Sequence, residues 1–265
     1  MSNKTSNIEE KKSGAPMLII GGVLLVAIIG GWYMFSTAKS SGNSNSNANA
    51  GNKANTAKTP APPPVNAPAG ANPPNQAGSP AAAVTVEEFA DFQCPQCGNV
   101  HPIMNEIKSI YGSRIHFIFR NFPLQIPAHD KSYDAAVAAE AAGMQGKFWD
   151  MQNLLFSNQK AWTDNPGFKD MWKGYAQKIG LDINKWENDM AGLGAKGRVD
   201  ADMARGKGMN VNSTPSVYVN GTSVGLADLN VDGLKKVIDA ELAKTGPAKD
   251  AAPAANTANT ANTTK

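Results

Sequence analysis

The stretch AAVTVEEFADFQCPQCGNVHPIMNEIKSIYGSRIHFIFRN, residues 82–121, decides the fold. It opens on strand formers. Val84, Val86, Glu88, Ala90 and Phe92 share one face by the period of two. Thr85, Glu87, Phe89 and Asp91 fall on the other. Cys94-Pro95-Gln96-Cys97 follows at once. After it, Val100, Ile103, Met104, Ile107, Ile110 and Tyr111 recur at helical spacing. Pro102 is expected to kink that helix, and Gly112 to end it. Ile115 to Asn121 reads as a second strand. Strand, helix and strand at this length make a βαβ unit, expected to be parallel and right-handed.

Beyond this unit, residues 130–209 read as several helices separated by Gly, Pro and Asn. Trp149, Trp162, Trp172 and Trp186 lie among them and are expected to pack in the core. Asn220-Gly221 between two short β-runs signals a hairpin. Val231 to Lys244 places Leu234, Val237, Ile238 and Leu242 on one helical stripe. The fold class is therefore α/β, with helices inserted between the βαβ unit and a final ββα.

Working outward to the N-terminus, Met17 to Phe35 is an uncharged apolar run. As a helix it spans roughly 28 Å, close to a bilayer core. Lys4, Lys11 and Lys12 precede it, and Lys39 follows. The excess of positive charge before the run predicts a cytoplasmic segment 1–16, a transmembrane anchor 17–35 and an extracytoplasmic remainder (periplasm or cell exterior). A cleaved signal peptide is the alternative, with Ser36-Thr37-Ala38 as its small-x-small site. Residues 36–81 and 246–265 are dominated by Ser, Asn, Ala, Gly, Thr and Pro. They are expected to be a disordered linker and tail, leaving 82–245 as the folded domain.

The net charge of +3 comes from the flanks. Residues 82–245 hold 17 Lys and Arg against 19 Asp and Glu. No basic stripe with interleaved aromatics is present, which argues against nucleic-acid binding. The chain has 2 cysteines, both in one CxxC motif, where an exported protein braced by disulfides would usually carry more.

A CxxC that opens a helix just after a strand has a chemical logic. The helix N-terminus favours an anion, lowering the first thiol's pKa. Two intervening residues leave both sulfurs on the first turn, close enough to bridge. Cys94 is then the exposed nucleophile, Cys97 the shielded resolving thiol, and Cys94–Cys97 a redox-active disulfide. Pro95 fits the first helical turn because it lacks an N–H. Glu88, on the inner strand face, is expected to be buried with a raised pKa and to relay the proton that Cys97 loses. Glu87 and Asp91, on the opposite face, are weaker candidates. Two other readings of the motif stand beside this one. Cys94, Cys97 and His101 have a zinc-like spacing but lack a clear fourth ligand. An inert structural disulfide closing so short a loop would constrain little of the unfolded chain.

FADFQCPQCGNVHP, NFPLQIPAH, AAVAAEAAGMQGKFWDMQNLLF and STPSVYVNG together resemble the thioredoxin superfamily, and within it the DsbA-type branch. The resemblance covers about 160 residues. It implies a thioredoxin fold carrying a helical insertion, here about 122–209. It implies that Thr214-Pro215 is a cis-proline loop beside the cysteines, whose backbone pairs with an extended substrate peptide. The implied work is disulfide donation to the thiols of exported proteins without a cofactor or metal. Reoxidation would fall to a membrane quinone-linked thiol oxidase. Strongly oxidising members often carry His where this sequence has Gln96, so a less oxidising potential is expected. His101 is read as a helix-surface residue, and His129 as one that caps or packs.

Overall fold

The computed structural model describes residues 66–245. The expected cytoplasmic segment, the anchor at 17–35, the first part of the linker and the tail lie outside the described residues. Among the described residues, no helix is long and apolar enough to cross a membrane.

Five strands form one sheet: β1 (Asn75–Gly78), β2 (Val84–Ala90), β3 (Ile115–Asn121), β4 (Ser216–Val219) and β5 (Thr222–Ser223). Their spatial order is β1-β3-β2-β4-β5. β2 and β3 run parallel, joined by α1 (Pro95–Tyr111); the other pairings are antiparallel. The βαβ reading thus holds residue for residue over β3. Pro102 lies inside α1, and Gly112, at φ 51°, ends it. Asn220 and Gly221 both take positive φ, as a tight hairpin turn between β4 and β5 requires.

Six helices separate β3 from β4. They are α2 (Ser132–Gly143), α3 (Phe148–Ser157), α4 (Gln159–Thr163), α5 (Phe168–Lys178), α6 (Ile183–Ala191) and α7 (Leu193–Gly208). Trp162, Trp172 and Trp186 are buried among them, as core residues should be, whereas Trp149 is only half-buried, packed against the core from α3. The edge-on pair Trp162–Trp172, at 5.2 Å, ties α4 to α5, and within α5 Phe168 packs on Trp172 at 4.8 Å. A last helix, α8 (Val231–Lys244), packs beside α1, where the Tyr111 hydroxyl donates to Asp239 at 2.7 Å.

The second face of β2 is buried as well. Phe89 on that face is fully buried in a smaller cluster with Phe122, Met209 and Val211. The end of α7 covers it. A Cβ on Gly206 would come within 2.5 Å of the Phe122 ring, so only glycine permits that approach. Both faces of the central strand are therefore covered, which an alternation of side chains in sequence does not reveal.

The expected linker boundary at residue 81 also needs correction. β1 lies within it and pairs with β3 from Asn75↔Phe119 to Gly78↔His116. Residues before β1 are held by arginines. The buried Arg120 donates to the carbonyls of Ala71 and Ala69, each at 3.0 Å, and Arg205 to that of Pro68 at 3.0 Å. The composition NQAG gives no strand signal because backbone hydrogen bonds and buried guanidiniums, rather than apolar side chains, order this segment.

Candidate active site

Cys94 is the N-cap of α1, in extended conformation at φ −68° and ψ 118°. Pro95 fills the first helical position, where no N–H is needed. No acidic residue lies in the first turn, so nothing opposes the positive end of the helix dipole there. Cys97, one turn on, is fully buried; Cys94 is 7% exposed, less open than the sequence reading expects but the more accessible of the two. Both are unbridged thiols in this structure. The peptide bond between Thr214 and Pro215 is cis, and Cys94 Sγ lies 3.3 Å from the Thr214 carbonyl oxygen. The structure therefore brings Cys94, Pro95, Cys97, Thr214 and Pro215 together.

The two sulfurs are electrostatically unequal. The Cys94 thiol is lowered to about 5, chiefly because Cys97 donates a hydrogen bond to its sulfur. Burial opposes this, while Thr214 and the N–H groups of Cys97 and Gln96 add to it. The Thr214 hydroxyl is buried and has no hydrogen-bond partner. It is placed to donate once the sulfur becomes an acceptor. Cys97 moves the opposite way: burial, then the hydrogen bond and the charge of Cys94, push its thiol well above the usual range. The Asp91 N–H points to Cys97 Sγ at 3.5 Å. Gln96 contributes backbone only; its side chain accepts from Asn99 at 2.9 Å on the exposed helix surface.

Glu88 is buried at 2% exposure, paired with Phe119 and Val217 on the neighbouring strands. Burial raises its carboxyl to about 7, against the attraction of Lys108 on α1. Among the described residues it hydrogen-bonds to neither sulfur. Its folded pKa lies above the ordinary 4.5, so the unfolded chain ionises first as pH rises. The associated stability is fully present below pH 4.5 and lost through about pH 7. A Glu88→Gln variant is expected to remove this dependence, on the order of 3 kcal/mol between those limits. Urea unfolding of both proteins at several pH values tests it. Parallel stability–pH curves would refute the shift.

Several residues acquire roles that spacing did not reveal. Asp91, a weaker candidate in sequence, is fully buried at the end of β2. Its carboxylate accepts from Ser132 Oγ, from Gln93 N at 2.7 Å, from Leu124 N at 2.8 Å and from His129 Nδ1 at 2.6 Å. His129 thus belongs to the site's supporting shell. His101 is buried rather than on the helix surface, because its ring stacks on Phe156 at 4.8 Å. Burial and Lys108 lower it to about 4, and its Nε2 bonds with Asn105 at 3.1 Å. Its ring is engaged there and not with the cysteines. Among the described residues no three His, Cys, Asp or Glu side chains gather as a metal site.

A family model described as thioredoxin matches residues 72–240. The chain belongs to the thioredoxin family. The matched span begins before Ala82, in agreement with β1 being part of the domain. Among solved structures, oxidised BdbD of Bacillus subtilis superposes with TM-score 0.59 at 22% identity, over 70% of this chain and 98% of that one. α-DsbA1 of Wolbachia pipientis gives TM-score 0.55 at 17% identity, over 64% and 92%. At these identities the likeness is one of fold, a thioredoxin-like α/β sheet with inserted helices. Curated relatives include the Na(+)/H(+) antiporter NhaA 1 of Mycolicibacterium gilvum, 37% identical over 146 residues, 54% of this chain and 23% of the antiporter. Another is NhaA 1 of Salinispora arenicola, 32% identical over 164 residues, 62% and 24% respectively. The chain spans about a quarter of the length of these relatives.

Proposed function

We propose that this member of the thioredoxin family is a thiol-disulfide oxidoreductase that donates disulfides to exported proteins. The observation that carries the reading is the inequality of two cysteines on one helical turn. One sits at a helix N-terminus beside a cis-proline loop with its thiol lowered to about 5; the other is buried with its thiol raised. In the disulfide form, a substrate thiolate attacks Cys94 Sγ and breaks the Cys94–Cys97 bond. Cys97 leaves with the electron pair and takes up a proton. A second substrate thiolate then attacks the substrate sulfur of the mixed disulfide, and Cys94 departs as thiolate. The substrate loses two electrons and the cysteine pair gains them. Glu88, neutral or charged near pH 7, serves as proton store for Cys97.

A stabilised Cys94 thiolate favours the reduced pair, so the disulfide is a stronger oxidant. Here the thiolate is stabilised without a histidine at position 96, through Cys97, Thr214 and backbone N–H groups. That favours oxidase over isomerase or reductase, the closest alternatives. Residues 17–35 hold the domain on the outer side of the membrane, and a quinone-linked membrane oxidase restores the disulfide. Ion transport is not carried over from the antiporters, whose match to this chain covers under a quarter of their length.

The reduction potential of the full-length chain, equilibrated with glutathione, tests the direction of exchange. A value well above about −200 mV is expected for a disulfide donor, and one near about −270 mV would instead assign a reductase. Alkylation trapping in intact cells should find Cys94 and Cys97 predominantly as the disulfide.

A further inference from the structure

Gln159 opens α4, inside the inserted helices and 65 residues after Cys94 in sequence. It is buried at 8% exposure. Its side-chain amide nitrogen donates to two backbone carbonyls of the redox loop, Phe92 O at 2.7 Å and Cys94 O at 2.9 Å. The Cys94 carbonyl also accepts the first bond of α1, from Gly98 N at 3.2 Å. One neutral side chain from the insertion thus holds the loop on both sides of Gln93. The contact is close: a Cβ on Gly98 would lie 2.7 Å from Gln159 Oε1. Glycine at that position leaves room for the amide.

We propose that Gln159 is a positioning residue through which the inserted helices set the reactivity of Cys94, resting on the disulfide-exchange reading above. The Phe92 and Cys94 carbonyls carry partial negative charge close to the nascent thiolate, and the Gln159 N–H groups offset that charge. The same bonds fix the backbone of the N-cap residue, and with it the aim of the sulfur at the Thr214 loop and at the N–H groups of Gln96 and Cys97. Without them the loop keeps its covalent path but loses the alignment on which the lowered thiol depends.

The test uses the full-length chain with the cysteines reduced, and follows iodoacetamide alkylation of Cys94 against pH. Gln159→Met keeps the volume and removes both donors. Its alkylation rate at pH 4, below the wild-type midpoint of about 5, is expected to fall about fivefold, as for one ordinary hydrogen bond withdrawn from the thiolate side. The midpoint of the pH profile should rise accordingly. Gln159→Glu should shift the profile further, because its carboxylate faces two carbonyls and a thiolate. Gly98→Ala should act in the same direction, and its effect should vanish in a Gln159→Ala background, where no amide remains to be displaced. An unchanged profile in Gln159→Met with a lowered melting temperature would make Gln159 a packing residue and overturn the proposal. Because the readout is the thiol itself, it stands apart from the exchange assay. Wild-type protein that alkylates with a low midpoint but oxidises no substrate would sink the functional reading and leave the role of Gln159 intact.

Discussion

Replacing Cys94 with Ser is expected to abolish thiol-disulfide exchange, lowering the rate with a reduced test protein by at least ~10³-fold. No other described thiol can attack or be attacked. Cys97 is fully buried and its thiol is raised, so it cannot stand in at neutral pH. Cys97→Ser is expected to behave differently. Cys94 keeps its helix N-terminus and the N–H groups around it, so it still reacts. It can attack a disulfide-bonded partner, but with Cys97 gone no second thiol of the chain releases that partner, and mixed disulfides on Cys94 should accumulate on non-reducing gels. The serine hydroxyl can still donate to Cys94, so the thiol midpoint should rise by less than complete loss of the bond would cause. An equal and total loss of covalent capture in both variants would show that the two cysteines do not divide attack and resolution as their environments indicate. Full activity in Cys94→Ser would point instead to a peptide-binding domain that uses the fold without its redox chemistry.

The sequence carried the scaffold far because the scaffold obeys local rules. β3 and α8 follow from alternation and helical periodicity, and the β4–β5 turn from Asn220-Gly221. The cysteines were legible because attack and resolution need two thiols on one helical turn. The supporting shell was not, because it is assembled across long gaps in the chain. Asp91 meets His129 and Ser132 from a different segment, and Gln159 reaches the loop from the insertion. Nothing in the spacing of these residues requires them to converge. The burial of Glu87 and Asp91 is not legible for the same reason. Glu87 and Asp91 lie on a face that α7 and the segment after β3 cover, and neither element announces its destination. β1 is not legible because its strength lies in backbone pairing and in arginines contributed from elsewhere.

Those arginines carry the largest stability effect expected outside the redox centre. Arg120 is 4% exposed and sits between two buried carboxylates, with Nε 2.8 Å from Glu87 and Nη1 2.9 Å from Asp202. Its remaining N–H groups bind the Ala69 and Ala71 carbonyls. Arg120→Ala is expected to cost about 3–5 kcal/mol in urea unfolding, because it leaves buried charge without its partner. The two carboxylates should not suffer equally. Glu87 keeps Arg205, which grips both its oxygens at 2.6 and 2.7 Å. Asp202 keeps only backbone donors, Ala71 N at 2.9 Å and Asn121 N at 3.1 Å. Burial already raises its carboxyl against the pull of Arg120, so without the arginine it should become neutral. Adding Asp202→Asn to Arg120→Ala should therefore recover part of the loss, whereas Glu87→Gln should not, since it strands Arg205. Hydrogen exchange should quicken first in residues 66–78, which lose two carbonyl anchors. Cys94 alkylation should stay within about twofold of wild type, as expected for sites that share no partner. A loss below about 1 kcal/mol would mean that water replaces the guanidinium freely, and that β1 holds to the sheet by backbone pairing alone.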